Sequence, residues 1–476
     1  MHKISQDAIT FDDVLVVPRK AISKSSELSL KTKLTKNIYL NAPIVSAPMD
    51  TVTESRMAIY MARYGGIGII HKNMSVEAQV AEVTKVKRSE FGVIKNPISL
   101  GPNSYLHEAE DLMRKYRISG LPITEYDKLV GILTNRDLRF EKDYTKKIYE
   151  VMTREDLITA PVGTTLAEAK EILDKHKIEK LPIVDESGDL RGLITTKDIM
   201  KSVQYPNSAK DSEGSLLVGA AVGISRNYID RVAALVEALV DVVVIDTPHG
   251  HSQMVATAIG HIKEKYPSLQ VIAGNIATAE SAKFLIDAGA DALRVGVGAG
   301  SVSTTGLVTG VGVPQITAIY NCAKVAAEAG VPVIADGGIK VSGDIIKAIV
   351  AGANVVMMGS MFAGCDESPG EIEMFQGRKY KKYRSLHAGD EEPLANMGLS
   401  LPDGVEGRIG YKGSAKEVLQ QLIGNIKDSM YYCGANSIND LIENSHFVKV
   451  TTAGYIESRP HSIEVTKESH YLTATY

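Results

Sequence analysis

The sequence predicts an α/β protein: a TIM (β/α)8 barrel interrupted by a smaller inserted α+β unit. Two observations predict it. Eight short apolar runs, most followed by a helical pattern, extend along the chain, and a segment repeated once lies between the second run and the third.

The runs are APIVSAPM (42–49), GGIGIIH (65–71), SLLVGAAVG (215–223), VDVVVIDTPHG (240–250), LQVIAGNIA (269–277), ADALRVGVG (290–298), GVPVIADGG (330–338) and ANVVMMGS (353–360). They are continuous rather than alternating, as parallel strands buried on both faces are. Several end in Gly, His, Asp or Ser, which gathers polar groups at the strand C-termini, where barrel sites are built. A doubly wound open sheet is the competing architecture, and the strand count favours the barrel.

The repeat is SGLPITEYDKLVGILTNRDL from Ser119 and EKLPIVDESGDLRGLITTKDI from Glu179, a period of about 60 residues. Each copy reads as an amphipathic helix (HEAEDLMRKYRI, LAEAKEILDKHKI), two apolar strands around a turn, and a helix opening at Thr-x-x-Asp. The predicted division is 1–91 with 206–476 for the barrel and 92–205 for the insert.

Composition narrows the function. The 53 basic and 57 acidic residues leave a net charge of -4, with no electrostatic reason to expect nucleic acid or an anionic membrane as partner. No apolar run reaches the ~20 residues that span a bilayer, and the N-terminus lacks the apolar stretch of a secretory signal. Cys322, Cys365 and Cys433 have no metal-like spacing and fit a reducing, cytoplasmic setting.

Chemistry concentrates in two places. The last two runs end in ADGGIK and MMGS, where glycines let backbone approach a ligand and free N–H groups can hold a phosphate. Asp336 precedes Gly337 and Gly338, so its carboxylate is placed for two ribose hydroxyls; a turn with a capping Asp is the plainer reading. The other place is the glycine-rich stretch GVGAGSVSTTGLVTGVGVPQ, Gly296 to Gln315.

With these motifs, the chain resembles the IMP dehydrogenase and GMP reductase family along nearly its whole length. FDDVLVVP, VSAPMDTVTE, GGIGIIHKNM, AGNIAT, TGVGVPQ, ADGGIK, MGSMFAG, DESPGE and GVEGRIGYKGS carry the resemblance. The repeated insert resembles a tandem CBS pair, which brings the chain nearer the CBS-containing bacterial dehydrogenases. The resemblance implies a purine-nucleotide pocket, NAD or NADP as cofactor, a monovalent cation (potassium), and a homotetramer or octamer. Ser301, Gly338, Gly359, Ser360 and Tyr383 match phosphate contacts, Asp336 the ribose carboxylate, and Met49 a side chain near the base. Asp246, Asn275 and Gly296 match the cofactor side. Carbonyls of Gly298, Gly300 and Ser303 match the cation site, completed from a neighbouring subunit by Glu457, Ser458 and Arg459. In the insert, Thr134 with Asp137 and Thr195 with Asp198 match the CBS pattern that binds a nucleotide ribose; the same residues serve as N-caps. The resemblance therefore implies adenine or guanine nucleotides as effectors.

The chemical side departs from the family's pattern. Ser303 stands where the family keeps the cysteine that attacks purine C2, and a serine hydroxyl needs a strong adjacent base where a thiol does not. Gly306 replaces an arginine. Ser385, Leu386 and His387 replace the Gly-Met-Gly that meets the base, the Arg-Tyr pair that activates water is missing, and Asp403 stands where bacterial relatives have Glu. Thr305 is kept and in the family takes part in water activation; a backbone-bonded loop hydroxyl is the alternative. His387 reads either as a general acid or base or as a solvated loop residue. Three functions stay open: an IMP-dehydrogenase-type oxidoreductase, a GMP-reductase-like or other transformation at C2 or C6, and a nucleotide sensor without catalysis.

Overall fold

A computed structural model describes residues 7–21, 28–89, 94–95, 97–116, 118–385 and 404–463. Eight parallel strands close into a barrel: β1 (Ile44–Ser46), β2 (Ile67–Ile70), β3 (Val218–Val222), β4 (Val242–Asp246), β5 (Gln270–Ile276), β6 (Ala292–Val295), β7 (Val333–Asp336) and β8 (Val355–Met358). Each of the eight apolar runs supplies one strand. All neighbours pair in parallel, and β8 returns to β1 through Met358 and Ser46.

The helices outside the barrel are α1 (Ser55–Arg63), α2 (Val76–Lys87), α3 (Tyr228–Glu237), α4 (Gln253–Lys265), α5 (Ala279–Asp287), the short α6 (Thr305–Thr309), α7 (Gln315–Glu328), α8 (Ser342–Val350), the short α9 (Ser360–Ala363) and α10 (Ala415–Cys433). Ser75, Ser252 and Thr278 cap α2, α4 and α5, each accepting a backbone N–H three residues on. Each strand puts alternate residues on opposite faces. One set packs against the helices; the other, including Val45, Ile67, Ile69, Val242, Val244, Ile272, Ala292, Ile334, Val355 and Met357, fills the interior. The interior is therefore packed core, with room for a ligand only at its rim.

That alternation determines which polar residues reach the rim. Val242 and Val244 point inward, so Asp246 does too. By the same parity Arg294 follows Ala292, and Asp336 follows Ile334. After β8, an antiparallel sheet of β9 (Ile372–Phe375), β10 (Arg378–Arg384) and β11 (Glu406–Gly410) brings the end of β10 to the cavity.

The chain splits into two compact units. One comprises Met1–Ser89, Asn207–Asp211 and Leu216–Tyr476; the other Glu90–Pro206 and Ser212–Ser215. The second unit leaves the barrel after α2, close to the 92–205 read from the sequence. It holds two copies of one pattern. Helix Leu106–Tyr116 precedes strands Gly120–Glu125 and Lys128–Thr134, and helix Leu166–His176 precedes strands Lys180–Val184 and Leu190–Thr195. The copies exchange edges: Ile94, ahead of the first copy, pairs with Leu193 of the second, while Thr153, ahead of the second, bridges to Ile132 of the first. The repeat thus folds as an interlocked pair.

Candidate functional site

A cavity of about 580 Å³ opens at the C-terminal rim of the barrel. Its walls come from strand ends and the loops after them. Met49, Ser301, Asp336, Gly338, Gly359, Ser360 and Tyr383 line it, as do Asp246, Asn275, Gly296, Gly298, Gly300, Ser303 and Thr305. His387 and Asp403 lie outside the described residues.

The floor is a buried charge cluster. Arg294 Nε lies 2.9 Å from Asp336 Oδ2 and Nη2 2.8 Å from the same oxygen, while Nη1 donates to Asp246 Oδ1. Asn275 Nδ2 donates to Asp336 Oδ2 at 2.9 Å and to the Gly296 carbonyl at 2.7 Å. Burial opposes the charge on Arg294, yet the carboxylates of Asp336 and Asp246 outweigh it and hold the guanidinium above its ordinary pKa. The fork fits between β4 and β6 because the intervening residue, Gly274, has no side chain. A Cβ there would come within 2.7 Å of Arg294 Cβ and 2.5 Å of its carbonyl oxygen.

The far wall suits an anion. Gly337 and Gly338 take φ of +86° and +79°, which only glycine adopts at little cost. A Cβ on Gly338 would press on the Phe11 ring at 3.2 Å, so the loop rests on the N-terminal segment. Opposite, the Tyr383 hydroxyl is 3.7 Å from Met49 Sδ and bonds Ser301; burial pushes this phenol up to about 12, so it stays a neutral donor. Gln315 Nε2 ties β6 to β7, donating to the carbonyls of Val295 and Asp336, both at 2.9 Å.

The loop after β6 is different. Ser303 is exposed; its Oγ donates to Thr305 Oγ1 at 3.2 Å and accepts from Thr305 N at 3.4 Å. Among the described residues no carboxylate or imidazole hydrogen-bonds that hydroxyl. Glu457, Ser458 and Arg459 follow the strand Phe447–Lys449, which pairs with Val14–Val16, and do not line this chain's own cavity. No cluster of His, Cys, Asp or Glu that could hold a metal occurs among the described residues. In the insert, Thr134 N and Oγ1 both donate to Asp137 Oδ2 at 2.7 Å, and Asp198 N donates to Thr195 Oγ at 3.4 Å. Both pairs cap their helices.

Two features escaped the sequence reading. One is Arg294, although a charge at an inward position of a buried strand signals a partner. The other is Arg384, whose Nη2 lies 2.6 Å from Asp50 Oδ2, an oxygen that also accepts from Asn73 Nδ2 at 2.8 Å. That network joins residues over three hundred positions apart and has no local signal.

Comparison with known proteins agrees with this geometry. A family model described as IMP dehydrogenase / GMP reductase domain matches residues 8–461. The chain is 57% identical over 481 residues to inosine-5'-monophosphate dehydrogenase of Halalkalibacterium halodurans and 55% identical over 482 residues to that of Bacillus subtilis, covering 99% of each chain in both cases. Among solved structures, it is similar to a cysteine-to-alanine variant of Trypanosoma brucei GMP reductase in complex with guanosine 5'-monophosphate. There the TM-score is 0.87 and identity 39%, over 97% of this chain and 99% of that one. The same reductase with guanosine 5'-triphosphate matches with a TM-score of 0.79 and 37% identity, over 94% and 98%. With the closed barrel, its rim cavity and a match across nearly every residue, the chain belongs to the IMP dehydrogenase / GMP reductase family.

Proposed function

We propose that the barrel binds a purine 5'-monophosphate together with NAD or NADP and acts as an oxidoreductase at purine C2 or C6, with its chemistry altered by Ser303. The observation that carries this reading is the assembly, in one cavity, of the Gly337–Gly338 turn, Gly359, Ser360, the Ser301–Tyr383 pair and the Asp336 carboxylate. Backbone N–H groups and hydroxyls would take the phosphate, and Asp336 the ribose. The relatives named as IMP dehydrogenases and GMP reductases support the substrate class.

The cofactor side fits a nicotinamide. Asn275 Oδ1 is buried without a hydrogen-bond partner, an acceptor that an amide donor would satisfy. Asp246 and the Gly296 loop complete that side. NAD(P) supplies the hydride acceptor or donor; the chain's residues orient the purine against it. A monovalent cation would be held by the carbonyls of Gly298, Gly300 and Ser303 with Glu457, Ser458 and Arg459 of a neighbouring copy in a homotetramer. Carbonyl ligation does not depend on the side chain at 303.

The isolated Ser303–Thr305 hydroxyl pair favours a second reading, in which the barrel binds nucleotide without turning it over. The insert, read as a CBS pair, would bind an adenine or guanine nucleotide as effector. Lys180 of the insert is buried, lies 3.9 Å from Glu179 and has Lys197, Arg136 and Asp137 nearby, and burial pushes its ammonium below the ordinary range. Three free, buried cysteines accord with a cytoplasmic setting.

Calorimetry with IMP, XMP, GMP and AMP, with and without NAD(P), tests the site, and absorbance of the reduced cofactor tests the chemistry. Binding of at least one monophosphate is expected, with dehydrogenase turnover below the ordinary ~1–10³ per second. Turnover within that range would overturn the altered chemistry. Absence of binding by all four at millimolar concentration would overturn the site.

A further inference from the structure

We propose that Arg294 is a positioning residue that couples the two halves of the cavity, so that the purine 5'-monophosphate and NAD(P) tighten one another's binding. The inference rests on the reading above, in which Asp336 takes the ribose and Asp246 faces the dinucleotide.

The three side chains come from different strands and meet at the Arg294 guanidinium. Arg294 uses Nε and Nη2 on Asp336 and Nη1 on Asp246, and its side chain is 9% exposed. The two carboxylate side chains keep 15% and 18% exposure against 9% for the cation between them, and all three residues line the cavity. Asn275 Nδ2 joins the Arg294 donors on Oδ2 of Asp336. Among the described residues no hydrogen bond falls on Oδ1, which leaves that oxygen for a ligand.

A guanidinium is a rigid planar fork. One carboxylate cannot rotate without tilting it, and tilting it disturbs the other. There is little room to absorb the change: Gly274 brings its backbone against Arg294, and the guanidinium is enclosed by Asp246, Asp336 and Asn275. A ligand that orders Asp336 therefore orders Arg294 and, through it, Asp246. The second ligand then meets a site whose ordering cost is already met, which is positive coupling without a large structural change. Thermodynamics requires the effect to be reciprocal. A lysine can bridge two carboxylates, as Lys87 does with Asp211 and Asp241, but its rotatable donors do not fix their relative orientation.

The test uses the full chain and calorimetry with two ligand pairs, IMP with NAD and GMP with NADP. Each nucleotide is titrated with and without saturating dinucleotide, and the quantity read is the ratio of the two dissociation constants. The unmodified protein should show roughly five- to ten-fold tightening for at least one pair, the low end of measured site-to-site couplings. In Arg294→Lys the ratio should fall to about one. Asp246→Asn, which keeps the volume but removes the charge from one arm of the fork, should lower the ratio as well and serves if Arg294→Lys melts early by circular dichroism. A role confined to fold stability would weaken both constants and leave their ratio unchanged. Retained coupling in a folded variant overturns the inference, as does a ratio of one in the unmodified protein when both ligands bind. Failure of the unmodified protein to bind any purine monophosphate, or any dinucleotide, overturns the underlying functional reading instead.

Discussion

The strand-end layer and the loop after β6 face the same cavity and are built on opposite terms. In the first, Asp246, Arg294 and Asp336 are fixed by strand parity, Asn275 by the irregular register at the end of β5, and all four by bonds to one another. In the second, Gly298 to Val311, the hydroxyls of Ser303 and Thr305 bond each other and Leu307 is 89% exposed. Side chains on strands take their positions from the barrel, so binding geometry and stability are one property there. The loop hydroxyls at 303 and 305 add little to stability, although Val302 between them and the strand is buried in the core. A substitution at 303 should therefore be tolerated by the fold, whereas one in the layer should not.

The sharpest way to break that contrast is Asp336→Ala. It leaves a buried guanidinium with one carboxylate in place of two, and breaking a buried ion pair from one side costs about 3–5 kcal/mol. Nucleotide affinity should fall as well, by about 1.5–3 kcal/mol for a lost hydrogen bond to a charged group. Urea denaturation reads the first loss and calorimetry the second. A stability change under 1 kcal/mol would mean that the layer does not act as a unit.

Gly274→Ala probes the same layer without removing a charge. The added methyl would meet Arg294 at 2.5–2.7 Å, so strand or fork must shift. Overpacking of this kind costs about 1–3 kcal/mol, and the melting temperature should drop accordingly. Gly306→Ala in the loop, where the nearest atom to the new methyl is 3.9 Å away, should leave the melting temperature nearly unchanged.

Tyr383→Phe probes by pH the bond that ties β10 to the loop at Ser301. Burial pushes the Tyr383 phenol to about 12 from an ordinary 10. The folded state therefore keeps a proton that the unfolded chain loses, and its stability is full below pH 10 and lost as pH rises through 12. At neutral pH the variant should be less stable by about 1 kcal/mol, the worth of the bond with Ser301. By pH 11 the unmodified protein should have given up about 1 kcal/mol of its own, so the gap closes. A gap that stays constant from pH 8 to 11 would show that the phenol is not held neutral by the fold.

How much of this was legible in the sequence follows the same division. The eight strands could be read because parallel strands buried on both faces are continuously apolar, and the insert because its pattern occurs twice. Asp246 and Asp336 stood out as polar ends of such runs. Arg294 did not, since it lies inside the run ADALRVGVG and only strand parity reveals that it points at them. The Arg384–Asp50 pair was not legible at all, because β10 and the loop after β1 meet only through the closed barrel. The reading of the loop as a departure, with Ser303 in place of cysteine, rests on the family resemblance alone.

The smallest structural effect should come from Ser303→Cys, which makes it the cleanest test of the loop. The position is exposed and its hydroxyl bonds only Thr305 among the described residues. Surface substitutions of this kind stay within about 0.5 kcal/mol. The thiol would be a few per cent ionised at neutral pH and far more nucleophilic than the hydroxyl, so it should react with iodoacetamide, whereas the buried Cys322 and Cys365, pushed up to about 12, should not. Turnover of IMP should nevertheless remain below ~1 per second. The proposed reading expects this because, on the resemblance, Gly306 stands in place of an arginine and the water-activating Arg-Tyr pair is missing. If Ser303→Cys alone restored ordinary dehydrogenase turnover, a single atom would separate this chain from its relatives, and the other departures would be silent.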